Sequence, residues 1–113
     1  EGEQTAQPHI FGDVILARKD IPTSYHLSVT VDDYKQSITR VTRGKDLFQA
    51  THIHRLLQCL LRYPTPKYIH HDLIIGADGK RLSKRTQSIT LRSLRESGKT
   101  PAQIEELIHY YRN

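Results

Sequence analysis

The pattern strand–helix–strand between residues 38 and 75 constrains the fold of this 113-residue chain more than any other feature. ITRVTRG, Ile38 to Gly44, is β-branched, ends in glycine and reads as a strand. Asp46 stands as the cap of a helix over residues 47–62, whose Ile53, Leu56, Leu57, Leu60 and Leu61 recur at helical spacing. Pro64 and Pro66 end it, and YIHHDLII, residues 68–75, reads as a second strand. A connection of this length carrying a helix favours two parallel strands joined by a right-handed crossover. Parallel strands end on one rim, outside which open α/β sheets bind their ligands. Arg43 and the loop DGKRLSKRT, residues 78–86, both fall at that rim. An anionic ligand gripped between an arginine on one strand end and a cationic loop on the next is the expectation.

The flanks are less constrained. Residues 1–12 are polar and read as a flexible entry, and DVILAR, residues 13–18, reads as a strand. In YHLSVTV, Tyr25, Leu27, Val29 and Val31 alternate as in a strand, whereas Ser24 is placed to cap a helix running on through DDYKQ. After the cationic loop, a helix over residues 89–97 is stopped by Gly98. Another begins with Thr100 as cap, Pro101 at its first position and Gln103 completing a capping box.

A net charge of +5 permits a polyanionic partner without requiring one. The single cysteine, Cys59, excludes an internal disulfide and any cysteine-based zinc cluster within this segment, which fits a reducing, cytoplasmic compartment. Among leucines it reads as a small buried apolar group. No apolar run has the length of a membrane span, so no membrane partner is expected. Methionine is absent and the chain opens EGEQTAQPH, which reads as part of a longer protein. No metal site is expected. Asp32 and Asp33 are adjacent, and neighbours on a helix do not face each other; His52 and His54 are two apart; His70 and His71 point to opposite faces of a strand.

The loop carries the most chemistry. Lysine is a compact cation on a flexible stem, suited to phosphate oxygens, and Ser83 adds a donor. Charge developing on a leaving group in phosphoryl or nucleotidyl transfer is stabilised by such cations. RLSKR, Arg81 to Arg85, resembles the KMSKS signature of class I aminoacyl-tRNA synthetases, nearest the KLSKR form of glutamyl-tRNA synthetases. SYHLSVTVDD, ITRVTRGKDL and PTPKYIHHDLIIGADGKRLSKR are similar, in order, to that family's YHL…VVDD, GITHVVRGEDL and the Pro-rich turn before its signature loop. The resemblance covers about residues 12–90 and has two branches. Full glutamyl-tRNA synthetases continue the loop RHGA and go on into a large helical domain. The shorter glutamyl-queuosine tRNA(Asp) synthetases commonly carry Thr where this chain has Thr86, which favours the shorter branch.

The resemblance implies an α/β fold: the second half of a Rossmann-type class I catalytic domain with parallel strands, followed by two short C-terminal helices. It implies a division into the entry 1–12, the C-terminal half of a nucleotide-binding domain over 13–86, and a helical segment over 87–113. It favours a helix for residues 24–36. It implies that Tyr25 and Arg43 bind glutamate, a guanidinium being able to grip a carboxylate through two parallel hydrogen bonds. Arg81, Leu82, Ser83, Lys84 and Arg85 would bind ATP, with Lys84 the catalytic phosphate contact. Arg81 keeps the charge of the motif's first lysine but not its geometry, and His70 would help shape the ATP pocket.

The implied reaction is ATP-dependent activation of glutamate and its transfer to tRNA, with tRNA(Asp) bearing queuosine preferred over tRNA(Glu). Magnesium would accompany ATP; zinc would enter only if a region upstream supplied ligands. The parent protein is expected to be a monomer. No segment like the family's HIGH motif occurs here, so these residues alone are not expected to form adenylate, and apolar surface left bare by missing strands would promote self-association. The contrasting expectation is a non-catalytic basic module whose RNA or acidic-protein binding is salt-sensitive and independent of ATP.

Overall fold

A computed structural model describes residues 2–75 and 90–112. The signature residues Arg81, Leu82, Ser83, Lys84 and Arg85 therefore lie outside the described residues. The chain forms two compact units, Glu1–His71 and Asp72–Asn113.

In the first unit a 3-10 turn, Pro8–Phe11, precedes helix α1, Tyr25–Lys35; strand β1, Arg40–Gly44; a second 3-10 turn, Lys45–Leu47; helix α2, Ala50–Leu60; and strand β2, Lys67–His71. The two strands pair in parallel, with Arg40 opposite Lys67, Val41 opposite Tyr68, Thr42 opposite Ile69, Arg43 opposite His70 and Gly44 opposite His71. The crossover expected from the sequence is thus present, with α2 as its helix. Helix α1 packs on α2. In the second unit, α3 spans Leu91–Glu96 and α4 spans Pro101–Arg112. Thr90 caps α3 in a reciprocal box with Ser93. Thr100 opens α4, its N–H donating to Gln103 Oε1 at 3.0 Å while Gln103 N–H donates to Thr100 Oγ1 at 3.4 Å.

Local chemistry decided several elements against their simplest reading. YHLSVTV is helical despite its alternation, because Ser24 accepts a cap hydrogen bond from Leu27 N–H and α1 continues through the polar DDYK that a strand would not retain. Residues 13–18 form no strand. Ser24 N–H donates to Leu16 O at 2.7 Å and Arg18 N–H to Ile21 O at 2.9 Å, so the backbone is used by a turn, and Ile15 stays 67% exposed. Asp46 is not the cap of α2. It lies in the 3-10 turn, and α2 starts later, after Gln49. Strand β2 ends at His71, short of the Ile75 expected.

The buried face of α2 is rotated from the leucine stripe. Ile53 and Leu57 are buried, but so are His54 and Gln58, while Leu56, Leu60 and Leu61 are exposed. Cys59 goes with the outer face and is exposed, not buried. Thr30 and Arg43 are buried as well, so the centre of this unit is largely polar. Burial of this kind is tolerated when each group finds a hydrogen-bond partner.

Three helices end in the same left-handed cap. Ile38 N–H donates to Asp33 O at 2.9 Å and Ser37 N–H to Tyr34 O at 3.0 Å; Tyr63 and Arg62 repeat the pattern on Gln58 and Cys59, and Lys99 and Gly98 on Leu94 and Arg95. Gly98 takes the required φ of 82° freely, whereas Ser37 and Arg62 hold 55° and 59° against their Cβ atoms. The first two caps bring the Tyr34 and Tyr63 rings together, stacked at 3.8 Å and 7°. Arg62→Gly is therefore expected to stabilise the chain by roughly 0.5–1 kcal/mol, relief at the left-handed position exceeding the greater freedom of unfolded glycine. Urea unfolding midpoints would register it.

Candidate functional site

Arg43 sits near the C-terminal end of β1 and is only 9% exposed. Its register partner on β2 is His70, and α2 passes over both, presenting Thr51 and His54. Arg43 Nε donates to His70 Nε2 at 3.2 Å, Nη1 to His54 Nδ1 at 3.0 Å, and Nη2 to Thr51 Oγ1. The guanidinium carbon lies 5.0 Å from the centre of the Tyr68 ring, a cation–π distance. Tyr68 is held in turn by Gln58, whose Nε2 donates to the phenol oxygen at 2.8 Å. Burial pushes the Tyr68 hydroxyl above its usual range, with the Gln58 bond and Arg43 pulling the other way. The buried Gln58 Oε1 has no protein partner among the described residues.

Among the described residues, every partner of this guanidinium is neutral. The ion pair found among the described residues is Arg18–Asp20, 3.5 Å apart on the surface. Asp33 feels Arg43 at longer range: burial raises its carboxyl, the Arg43 cation opposes this, and Asp32 adds to it. A buried cation without a touching carboxylate has lost hydration that no counter-charge returns. Three of its five N–H groups are used as above, and two find no acceptor among the described residues.

His54 links this arginine to α1. It is 1% exposed, and its Nε2 is 3.0 Å from His26 Nδ1. Burial lowers its pKa from 6.5 to about 4, and electrostatic coupling to Arg43 and to a second imidazole, His26, acts in the same direction. Tyr25, the first residue of α1, is half exposed and meets His54 edge-on at 5.6 Å and 68°. The structure thus brings both expected glutamate contacts, Tyr25 and Arg43, against one imidazole.

Of the histidines, His70 faces Arg43, and Thr51, His54, Gln58, Tyr68 and His26 complete a polar cluster that the sequence did not single out. A signal was present: Thr51, His54 and Gln58 fall at i, i+3 and i+7 on α2 and form a polar stripe beside Ile53 and Leu57. An open groove of about 1050 Å³ borders the cluster, lined by Lys45, Phe48, Arg55 and by the Arg43 contacts Thr51, Tyr68 and His70, though neither Tyr25 nor Arg43 itself lines it. No group of three His, Cys, Asp or Glu side chains among the described residues is arranged to hold a metal ion. No helix among them is long and apolar enough to cross a membrane.

The family model for tRNA synthetases class I (E and Q), catalytic domain, matches residues 1–110. The glutamyl-Q tRNA(Asp) synthetase of Rhodobacter capsulatus is 55% identical over 97 residues, covering 86% of this chain and 35% of that protein. The glutamate–tRNA ligase 2 of Syntrophus aciditrophicus is 36% identical over 109 residues, 96% of this chain and 22% of that protein. Among solved structures, a glutamate tRNA ligase from Elizabethkingia meningosepticum in complex with its amino acid superposes with a TM-score of 0.58 at 34% identity, over 65% of this chain and 15% of that one. The chain spans about a third or less of the length of these curated relatives. The parallel pair with its crossover helix is accordingly part of a Rossmann-like class I catalytic domain.

Proposed function

Because the chain belongs to the class I tRNA synthetase (E and Q) catalytic-domain family, we propose that it supplies the amino-acid half of a glutamate-activating site. A glutamate carboxylate is received by the two unused N–H groups of Arg43, with the Tyr25 ring alongside. The observation that carries this reading is the buried guanidinium whose partners are all neutral. A bound carboxylate supplies the missing counter-charge through two short, charge-assisted bonds.

In the proposed reaction a carboxylate oxygen of glutamate attacks the α-phosphorus of ATP. The bond to the bridging oxygen breaks, and pyrophosphate leaves with its magnesium. The acyl group then passes to an RNA hydroxyl, AMP departing and the hydroxyl proton going to solvent. Catalysis is positioning and charge stabilisation, with no covalent protein intermediate. Residues 81–85 are assigned to the triphosphate, with Lys84 accompanying the leaving pyrophosphate; this assignment rests on the RLSKR sequence.

The acceptor we propose is queuosine in the anticodon of tRNA(Asp). Support comes from the names of several relatives, those of Rhodobacter capsulatus and Nocardia farcinica among them, and from Thr86 after the signature. The second reading, charging of tRNA(Glu), is favoured by the Syntrophus relative, which aligns with 96% of the chain. A protein of the relatives' full length carrying these residues is expected to glutamylate tRNA(Asp) containing queuosine at least tenfold faster than tRNA(Asp) lacking it or tRNA(Glu). Labelled glutamate incorporation measures this, and preferential charging of tRNA(Glu) would establish the second reading instead.

A further inference from the structure

We propose that His54 is the positioning residue of the anion site: locked by His26 with its Nδ1 bare, it holds Arg43 in the geometry that receives a carboxylate. The inference rests on the glutamate reading above and concerns a residue that touches no substrate.

The argument is one of donors and acceptors. A guanidinium donates only, so the His54 Nδ1 that meets Arg43 Nη1 at 3.0 Å must be unprotonated. A neutral imidazole then carries its proton on Nε2, and that atom faces His26 Nδ1 at 3.0 Å. His26 Nδ1 must accept, which puts the His26 proton on its own Nε2. His70 Nε2, facing Arg43 Nε at 3.2 Å, must also be bare. One chain of hydrogen bonds therefore runs from His26 on α1 through His54 on α2 to Arg43 on β1, and each link fixes the proton of the next.

The surroundings keep it so. His54 is almost wholly enclosed by Tyr25 and His26 of α1, Arg43 of β1 and its own helix. Beyond Arg43 stand Tyr68 and His70 of β2. Among the described residues Asp33 couples electrostatically to Arg43 without forming an ion pair with it. A proton on Nδ1 would aim an N–H at an N–H beside a cation. Arg43 would lose an acceptor and swing from the site.

Glutamine at this position could accept from Arg43 through Oε1 and donate to His26 through Nε2; leucine could do neither. The test has two parts. Two-bond proton–nitrogen NMR of the 113-residue chain should show His54 neutral, with Nε2 protonated and Nδ1 bare, from about pH 8 to pH 7. A protonated Nδ1 in that range would overturn the inference. In a protein of the relatives' length carrying these residues, glutamate-dependent ATP–pyrophosphate exchange should show the glutamate KM raised about tenfold or more by His54→Leu, one charge-assisted bond being at stake. His54→Gln should return it to within about threefold of the parent. The kcat should move less than KM.

An unchanged KM in His54→Leu, or equal loss in both variants, would overturn the positioning role while leaving the glutamate reading intact. An unchanged KM in Arg43→Ala would overturn the reading itself, and the inference with it.

Discussion

Replacement of Arg43 by alanine is expected to raise the glutamate KM by roughly two orders of magnitude or more, because two charge-assisted hydrogen bonds at about 1.5–3 kcal/mol each are lost together. Lysine should not rescue it. A single ammonium cannot reach His70, His54 and Thr51 while also offering a forked pair of donors to a carboxylate. The variant separates function from structure. The buried arginine opposes folding through its unreturned hydration, so its removal relieves one cost while taking one donor each from His54, His70 and Thr51. Unfolding measurements are therefore expected to move much less than substrate affinity. An arginine held only for the fold would show the reverse order, with binding lost only as the protein unfolds.

Acid should destabilise the chain through His54. The unfolded imidazole takes its proton near pH 6.5 and the folded one near pH 4, so the unfolded chain binds more protons between those values. The stability associated with neutral His54 is fully present above about pH 6.5 and is lost as the pH falls through about 4. The loss, spread between those two values, totals about 3 kcal/mol. Asp33 works in the opposite sense, since its raised pKa lets the folded chain take up a proton more readily than the unfolded one. Urea unfolding across this range should therefore give a falling stability, and His54→Gln should flatten it. A variant with the parent's full acid slope would show that His54 is not the group responsible.

Much of this arrangement was legible before any coordinates. The crossover from residue 38 to 75 was readable because glycine, proline and β-branched clusters mark its ends, and the parallel direction of the strands follows from its length. The position of Arg43 near the end of the first strand was readable because a strand end needs no side-chain detail to locate. The helix at Tyr25–Lys35 was ambiguous from periodicity, and the family resemblance rather than the pattern favoured it.

The misreading of α2 has a specific cause. Hydrophobic periodicity assumes that the buried face is the apolar one. Here α2 turns His54 and Gln58 inward and leaves Leu60 and Cys59 outside, because a buried guanidinium needs acceptors more than the helix needs to bury leucine. Residues 13–18 misled in a related way: their composition is strand-like, but their backbone groups are used by a turn. The ends of α1 and α2 were readable to within a residue or two, but not their left-handed caps, because serine and arginine occupy positions where glycine is the usual choice.

The account depends on Arg43 being a charge that awaits its partner, and a crystal structure of the relatives' full-length form of the protein with L-glutamate bound tests this most directly. A carboxylate of glutamate should lie within hydrogen-bond distance of Arg43 Nη1 and Nη2, with Tyr25 alongside and the bonds to His54 and His70 intact. Glutamate seated elsewhere, with Arg43 still enclosed by neutral groups alone, would contradict it.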